Sequence, residues 1–229
     1  MIILAAGRGT RLAAASEGRP KVLSDVGGRP LLGRALSLPA DEAVVVTGHL
    51  REQVEAFVAA GRWPHPVRTV HNEQFAAEGN ARSLAVGLTA APPEADVLKL
   101  DGDLLVAPEA IDALWRAEGS AALVDLRRRL DDEAMKAQVV GDRVVALGKG
   151  LDDAQGESIG AEVIAAAARE RVAESLERTL ADHPLAYYED AYHRLLPEWT
   201  LHAVPVTTPW AEIDTPEDLR AAQALVRAE

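Results

Sequence analysis

The stretch that decides the fold is LAAGRGTRL, residues 4–12, which continues the apolar run begun by Ile2 and Ile3. A short apolar run followed by glycines predicts a buried β-strand and a tight loop at its carboxyl end. Glycine lets the backbone approach a ligand closely, and successive N–H groups of such a loop can face an anion. Because Arg11 and Lys21 add positive charge nearby, the sequence predicts a polyphosphate site here.

Two better-known phosphate loops do not match this stretch. A P-loop ends in Gly-Lys-Ser/Thr, whereas this loop reads Gly9-Thr10-Arg11. A dinucleotide-binding loop needs a third glycine that opens the helix, and position 12 is Leu. At this point a plain turn with solvated basic residues is still an alternative.

Strands and helices alternate through the first half of the chain. Apolar runs predict strands at 2–4, 43–47, 67–70 and 96–100, and helical patterns cover 30–36, 50–60, 79–88 and 108–117. This alternation predicts an α/β fold with a doubly wound, mostly parallel sheet covered on both faces. Ligands bind to such sheets at the carboxyl ends of the strands, where the glycine loop begins.

The pattern changes after residue 120. Strands are predicted at 121–126 and 139–147, where Gly141-Asp142 forms a hairpin turn, and helices at 162–180 and 188–196. A strand at 201–205 precedes a last helix, which Thr215 caps and Pro216 opens. The second half therefore predicts a small antiparallel and helical lobe, within one domain that covers residues 1–229.

Composition excludes several classes of function. Lys and Arg number 24 and Asp and Glu number 36, so the net charge of −12 disfavours nucleic-acid binding. The chain has no cysteine, which excludes disulfides, thiolate metal sites and thiol nucleophiles and fits a cytoplasmic location. Neither a secretory leader nor an apolar run long enough to enter a membrane is expected.

The combination of residues 4–12 with Pro20-Lys21 resembles the signature of the nucleotidyltransferase family. The resemblance implies a Rossmann-like fold and transfer of a nucleotide from a nucleoside triphosphate to a phosphorylated alcohol or sugar, with release of pyrophosphate. Three later motifs are similar to that family as well: the base-holding loop Thr47-Gly48-His49-Leu50, the metal-carrying strand end Leu100-Asp101-Gly102-Asp103 and the closing motif at 212–219.

Shorter stretches resemble the bacterial members that use CTP and act on phosphocholine, on phosphonates or on inositol 1-phosphate. They are Gly79-Asn80, Ser83-Leu84, Gly148-Lys149-Gly150-Leu151, Glu157-Ser158-Ile159-Gly160 and Tyr187-Tyr188-Glu189-Asp190-Ala191. The resemblance divides the domain into a nucleotide-binding part (1–120), an acceptor-binding lobe (121–205) and a closing metal segment (206–229). It implies CTP or another nucleoside triphosphate as one substrate and a small phosphorylated or phosphonate acceptor as the other.

The reaction implied here brings anions together, so it needs positioning and charge neutralisation. Mg²⁺ prefers oxygen ligands from one or two carboxylates, and Asp103 and Asp214 are the expected pair because each follows an apolar strand. Lys21 is expected to stabilise charge at the reacting phosphates, and Arg11 to hold the departing ones. The full set of expected nucleotide-binding residues is Leu4, Ala5, Ala6, Gly7, Arg8, Gly9, Thr10, Arg11, Lys21, Gly48, His49, Gly79, Asn80, Ser83 and Asp101.

The acceptor site is expected in the second half. Its candidate residues are Lys149, Glu157, Tyr188, Glu189 and Asp190. Aromatic faces and carboxylates suit a choline-like cation, whereas Asn, Glu and Asp suit the hydroxyls of inositol or a sugar. Tyr188 and Tyr192 are four residues apart, a spacing that equally fits one packed helix face.

Two functions of other classes are alternatives at this stage. A regulatory domain that binds nucleotide without catalysis would keep the fold, but Lys21, Asp103 and Asp214 argue against it. An assembly subunit would need a large exposed apolar patch, which a sequence does not reveal. The sequence leaves the oligomeric state open, and the resemblance allows a homodimer.

Overall fold

The computed structural model describes residues 1–13 and 18–227, which form a large mixed β-sheet flanked by helices. The first half alternates strands and helices, as the sequence predicts. Its elements are β1 (Ile2–Ala5), α1 (Thr10–Ala13), α2 (Leu31–Ala35), β2 (Ala43–Thr47), α3 (Arg51–Ala60), β3 (Val67–His71), α4 (Asn80–Ala90), β4 (Val97–Asp101), β5 (Leu104–Val106) and α5 (Pro108–Trp115). A 3-10 helix at Lys21–Leu23 follows Pro20.

The second half adds more strands to the same sheet. Its elements are β6 (Ser120–Asp125), β7 (Lys136–Val140), β8 (Arg143–Leu147), β9 (Gly156–Ile164), α6 (Arg169–Asp182), α7 (Tyr188–Leu195), β10 (Leu201–Pro205), β11 (Trp210–Glu212) and α8 (Pro216–Arg227). The strand order is β3-β2-β1-β4-β9-β6-β10-β8-β7. The predicted lobe therefore shares one continuous sheet with the first half of the chain.

Strands β3, β2, β1 and β4 run parallel to one another, which confirms the parallel half of the prediction. Strand β1 lies between β2 and β4, so the chain leaves it at a point where the strand order reverses direction. In an open α/β sheet this is the place where a ligand crevice forms. The loop that begins at Ala6 starts at this point.

The side chains of β1 show why helices cover both faces. Ile2 packs into a core cluster with Leu84 of α4 and Val172 of α6. Its neighbour Ile3 points to the opposite face, into a cluster with Ile111 of α5. Because successive strand residues alternate between faces, an unbroken apolar run indicates a sheet that is buried on both sides.

The prediction of a helix from residue 162 is wrong. Residues Gly156–Ile164 form β9, which pairs antiparallel with β4 and with β6, and the helix begins only at Arg169. All nine residues of β9 are buried, so the strand shows no alternation of polar and apolar positions. Glu162 has the character of a helix-surface residue in the sequence, but it sits in the middle of the sheet opposite Lys99.

Two local predictions in the second half are confirmed. Gly141 and Asp142 connect β7 to β8, and Gly141 has a φ of 64°, which favours glycine. At the start of α8, the Thr215 hydroxyl accepts the Asp218 N–H at 3.2 Å, and Asp218 accepts the Thr215 N–H at 2.8 Å. This reciprocal cap fixes the helix directly after Asp214.

One element escapes the sequence patterns. The short strands β5 and β11 pair antiparallel in a two-stranded ribbon of their own, with Leu104 opposite Glu212. The Ile213 N–H donates to the Asp103 carbonyl at 3.1 Å, which continues the ribbon. The ribbon thereby joins the segment after β4 to the segment before α8. Among the described residues, no helix is both long and apolar enough to cross a membrane.

Candidate active site

The loops after β1 and β2 are packed tightly against each other. The His49 N–H donates to the Ala6 carbonyl at 3.1 Å. A Cβ at Gly48 would lie only 2.7 Å from that carbonyl oxygen, so a larger residue would push the two loops apart. Gly7 and Arg8 are exposed beyond this contact. The glycine loop is therefore held at its base and open at its tip, as an anion-binding loop must be.

Lys21 joins the segments that carry the two predicted metal ligands. Its Nζ lies 2.5 Å from Asp214 Oδ1 and also forms an ion pair with Asp103. Arg11 donates to Asp214 Oδ2 at 2.8 Å. Burial disfavours the charge of Lys21, but the two carboxylates outweigh burial and raise its pKa. The amine is therefore held as a fixed positive charge beside the glycine loop.

Three carboxylates converge next to this lysine. Asp103, Glu212 and Asp214 each offer one oxygen, and the three oxygens lie within 4.8 Å of one another. Much of Glu212 is exposed, yet its carboxyl is crowded: burial first, and then Asp103 and Asp214, raise its pKa to about 8. We name these residues the outer carboxylate cluster. Its hard oxygen donors fit the coordination that Mg²⁺ prefers.

A second cluster of carboxyl groups surrounds a buried lysine. The Nζ of Lys99, which is completely buried, lies 3.0 Å from Asp101 Oδ1 and 2.8 Å from Glu162 Oε2. The Tyr188 hydroxyl donates to Asp101 at 2.9 Å, and the Lys99 Nζ lies 3.5 Å from the centre of the Tyr188 ring. The charge of Glu189 also acts electrostatically on Lys99 and raises the pKa of the lysine. We name Asp101, Glu162 and Glu189 the inner carboxylate cluster.

Burial changes the acidity of the inner cluster. Burial first, opposed by Lys99 and reinforced by Asp101, raises the pKa of Glu162 to about 7 and that of Glu189 to about 8. Burial also disfavours the charge of Lys99, but Asp101, Glu162 and Glu189 outweigh it and raise its pKa. Lys99 therefore stays charged, while its carboxylate neighbours compete for a single cation.

The glycine of β9 explains how Asp101 fits. Gly160 has a φ of 83°, and a Cβ there would lie 2.3 Å from Asp101 Oδ2. The Lys99 amine also donates to the Gly160 carbonyl at 3.3 Å. Glycine is required at position 160 because φ is positive there and because any side chain would displace the Asp101 carboxylate.

A cavity of about 420 Å³ is lined by the outer carboxylate cluster and by Asp101 and Glu189 of the inner cluster. It lies at the carboxyl ends of β1 and β4, with β9 and α7 on its far side. The predicted site residues that line it are Leu4, Ala6, Gly7, Arg11, Asn80, Ser83, Asp101, Asp103, Lys149, Glu157, Glu189 and Asp214. Lys21 adjoins the cavity through its ion pairs with Asp103 and Asp214.

Other predicted residues lie around the cavity rather than on its lining. Ala5 is buried in the core, and Gly9, with a φ of 55°, shapes the loop. His49 lies 6.4 Å from Phe75 between ring centres. The Gly79 N–H donates to the Pro184 carbonyl, which docks the start of α4 on the segment before α7. The side chain of Thr10 lies outside the described residues.

Two predicted acceptor residues, Tyr188 and Asp190, are not in the cavity lining and make contacts within the protein. Tyr188 is completely buried and packs edge-on against Tyr192, with 5.3 Å between ring centres. The Asp190 carboxylate accepts the Tyr187 N–H at 2.8 Å and so caps α7. The neighbouring Tyr187, which is partly exposed, lines the cavity together with Glu189.

Sequence reasoning missed four residues of this region. Glu212 lies two residues before Asp214, and the strand period of two would have placed it on the same side. The same rule relates Lys99 to Asp101. Arg128, which lines the cavity and lies 3.5 Å from Glu157, has no distinguishing signal in its run of arginines. Glu162 was missed because the sequence pattern predicted a helix from residue 162.

Comparison with known proteins identifies the family. Residues 1–200 match the MobA-like NTP transferase domain. The chain belongs to this nucleotidyltransferase family. The glycine loop, Lys21 and Asp103 fall within the matched residues, whereas Glu212 and Asp214 lie beyond residue 200. The family assignment agrees with the resemblance noted in the sequence.

Two curated relatives are similar over nearly the whole chain. The bifunctional IPC transferase and DIPP synthase of Rubrobacter xylanophilus is 33% identical over 98% of this chain and 51% of its own length. The CMP-5'-(3-aminopropyl)phosphonate synthase of Streptomyces rubellomurinus is 31% identical over 96% of this chain and 38% of its own. This transferase domain therefore spans about half or less of the length of these relatives.

A solved structure confirms the fold. The inositol-1-phosphate CTP transferase of T. maritima superposes with a TM-score of 0.83 and 23% identity, and covers 99% of this chain and 94% of that one. At this identity the likeness concerns the fold alone. It supports the Rossmann-like α/β architecture predicted from the strand–helix alternation.

Proposed function

We propose that this transferase domain moves CMP from CTP to a phosphorylated alcohol or a phosphonate and releases pyrophosphate, with Mg²⁺ as cofactor. The observation that carries the proposal is the meeting of Lys21, Asp103 and Asp214 beside the glycine loop. A fixed cation and paired carboxylates at the carboxyl edge of a parallel sheet match the needs of nucleotidyl transfer.

The glycine loop and Arg11 bind the β- and γ-phosphates in this proposal. The Arg11 side chain is half-exposed and donates to the Asp214 carboxylate. It can therefore turn toward an incoming phosphate without unpacking the core. Lys21 lies deeper and holds its charge near the α-phosphate and the acceptor phosphate, where negative charge accumulates in the transition state. Alignment of the two anions along one line supplies the rest of the rate.

The outer carboxylate cluster holds the Mg²⁺. Asp103 and Asp214 are the ligands predicted from the sequence, and Glu212 is the addition that the structure suggests. The ion, when bound, supplies positive charge to the phosphates of the nucleotide. Lys21 then keeps its place between the two aspartates and the substrates, because its short 3-10 helix is anchored by the buried Val22.

The nucleoside binds along the start of α4 and the loop after β2. Asn80 and Ser83 line the cavity there, and Gly48, His49 and Gly79 shape its rim. The acceptor occupies the side formed by β9 and α7, where Lys149, Glu157 and Glu189 line the cavity. CTP is the proposed nucleotide because one curated relative is named a CMP-5'-(3-aminopropyl)phosphonate synthase and the solved structure of similar fold is a CTP transferase.

Inositol 1-phosphate is the second candidate acceptor, since the relative of known structure is named for it. A single experiment separates the candidates. Pyrophosphate release is measured with Mg²⁺ for each of the four nucleoside triphosphates against phosphocholine, 2-aminoethylphosphonate, 2-hydroxyethylphosphonate, inositol 1-phosphate and glucose 1-phosphate. We expect release with CTP and a phospho-alcohol or phosphonate.

Other outcomes would change the assignment. Release with UTP or dTTP and glucose 1-phosphate alone would replace the CTP proposal with a sugar nucleotidyltransferase. Nucleotide binding without turnover on any acceptor would favour a regulatory domain. For variants of the carboxylates in the site, Asp112→Asn is the matched control, because Asp112 is exposed on α5 and lies outside the cavity lining.

A further inference from the structure

The inner carboxylate cluster contains more negative than positive charge. Lys99 forms ion pairs with Asp101 and Glu162. Within the described part of the chain, no lysine or arginine lies within ion-pair distance of Glu189, and no second one reaches Asp101 or Glu162. One ammonium therefore faces three carboxyl groups, of which Glu162 and Glu189 are buried. Buried charges are ordinarily paired, because removing an unpaired ion from water costs several kcal/mol.

Two members of this cluster line the cavity, Asp101 and Glu189. Asp101 already has Lys99 and the Tyr188 hydroxyl as partners. Glu189 is only 5% exposed and has no ion pair among the described residues. Its Oε2 has no hydrogen-bond partner among the described residues. Lys99 cannot fill this role, since it is already engaged by Asp101, Glu162 and the Gly160 carbonyl. A buried carboxylate oxygen without a partner calls for an explanation, and a donor on a bound ligand would supply one at a cavity wall.

The position of Glu189 is fixed rather than adjustable. It is the second residue of α7, where the Asp190 carboxylate caps the helix and the Tyr188 N–H donates to Asn80 at 2.9 Å. Tyr188 and Ala191 on either side are fully buried. The start of the helix that carries Glu189 is therefore held in place, and its carboxyl group lies at the cavity wall.

We propose that Glu189 binds a primary ammonium group carried by the acceptor, so that the acceptor is an aminoalkyl phosphonate or an aminoalkyl phosphate. This inference rests on the proposed function and names the acceptor class of that site. An ammonium group supplies both things the cluster lacks: a positive charge and N–H donors. The hydroxyl of an inositol or a hydroxyalkyl phosphonate supplies a donor without charge. A trimethylammonium group supplies charge without a donor.

The other cations of the cavity lining, Lys149 and Arg128, pair with carboxylates other than Glu189. Arg11 and Lys21 stand at the glycine loop, where the anions of both substrates meet. The positive end of the acceptor then points away from that loop, toward Glu189 and Asp101. Opposite charges at the two ends of one small molecule fix its direction in the cavity and bring its phosphate to the reaction centre.

The test compares two acceptors of nearly equal size, 2-aminoethylphosphonate and 2-hydroxyethylphosphonate, with CTP and Mg²⁺. We expect kcat/KM to favour the amine by about 10- to 100-fold, the range of a charge-assisted hydrogen bond. In Glu189→Gln this ratio should fall to about one through loss of activity on the amine, while KM for CTP stays constant. Glu198→Gln, an exposed carboxyl after α7, is the matched control and should keep the preference.

Each other outcome decides against the inference or against the function. Turnover that favours the hydroxyl compound, inositol 1-phosphate or phosphocholine would overturn the inference and leave the transferase intact. A higher KM for CTP in Glu189→Gln, with the acceptor ratio unchanged, would assign Glu189 to the nucleotide instead. If no acceptor is turned over, the proposed function fails, and calorimetric binding of the two phosphonates to the unmodified chain decides the inference alone: equal affinities would overturn it. The same calorimetry applies if Glu189→Gln does not fold.

Discussion

Two lysines in this molecule each face three carboxylates, and they do so in opposite surroundings. Lys21 stands beside Asp103, Glu212 and Asp214 at the mouth of the cavity. Lys99 stands among Asp101, Glu162 and Glu189 beneath its floor, where its own exposure is zero. Each set combines one lysine with three carboxyl groups, and Asp101 at the end of β4 lies two residues before Asp103 of the other set.

The difference in burial separates their tasks. The side chains of Asp103 and Asp214 are 20% and 23% exposed, so water and ions reach them and the loss of one partner is tolerated. Glu162 and Glu189 of the inner cluster are only 1% and 5% exposed, so these two carboxyl groups depend on Lys99 or on a ligand. The outer cluster is therefore built to exchange partners during a reaction, and the inner one to hold a fixed charge.

The largest effect is expected in the outer cluster. Asp103→Asn should lower Mg²⁺-dependent turnover by about a thousandfold or more, because a neutral amide no longer holds the ion that neutralises the phosphates. Pyrophosphate release checks turnover, and circular dichroism checks the fold. Asp112→Asn is the control. Near-normal turnover of Asp103→Asn would remove this residue from the proposed metal site.

The inner cluster should respond in stability. Lys99→Met should lower the free energy of unfolding by about 3–5 kcal/mol, because it leaves buried carboxylates without their cation. Urea denaturation measures this loss. Combining it with Glu162→Met should restore part of the stability, since the change removes both members of a cross-strand pair. Lys136→Met, on the partly exposed strand β7, is the control; an equal loss there would deny Lys99 any special role.

Lys21 should show the reverse behaviour. Lys21→Met should lower kcat by about 100- to 1,000-fold, because a fixed charge disappears from the transition state. The free energy of unfolding should change far less than in Lys99→Met, since the Lys21 partners are reached by water. Steady-state kinetics and urea denaturation of the two variants form one experiment. A rise in KM with kcat unchanged would show that Lys21 only binds substrate.

A further expected effect is a change in the pH dependence of stability. The folded-state pKa of Glu189 is raised to about 8 by burial, by Asp101 of β4 and Glu162 of β9, against Lys99 of β4 and the Tyr188 hydroxyl of α7. The folded state then binds this proton more tightly than the unfolded state, so stability falls as pH rises from about 4.5 to about 8. Glu189→Gln removes that term.

The stability of Glu189→Gln relative to the original chain should therefore increase with pH across this interval, by at most about 1.4 kcal/mol per pH unit. Denaturation curves at several pH values measure the difference. Glu198→Gln, whose carboxyl is exposed, should give a constant difference. Parallel stability profiles for Glu189→Gln and the original chain would show that folding does not raise the pKa of the Glu189 carboxyl.

The same comparison explains what could be predicted. Asp103 and Asp214 follow apolar strands in motifs whose residues are consecutive, so the outer pair and Lys21 could be found by reading along the chain. Glu212 needed only the strand period. The inner cluster needed the register of β4 against β9, which places Lys99 opposite Glu162. Because polar and apolar residues do not alternate along β9, the sequence did not indicate a strand there. The register of β9 against β4 could therefore not be predicted either.

The sequence by itself determined the parallel half of the sheet, the glycine loop, the cap of α8 and the basic and acidic residues at the cavity mouth. These depend on local preferences: apolar runs, glycine conformations and side-chain caps act over a few residues. The tertiary structure alone decided which carboxylates share a cation and that Glu189 meets the cavity while Tyr188 beside it is buried. That outcome depends on pairings between residues far apart in the chain, because burial and charge compensation are properties of the assembled neighbourhood.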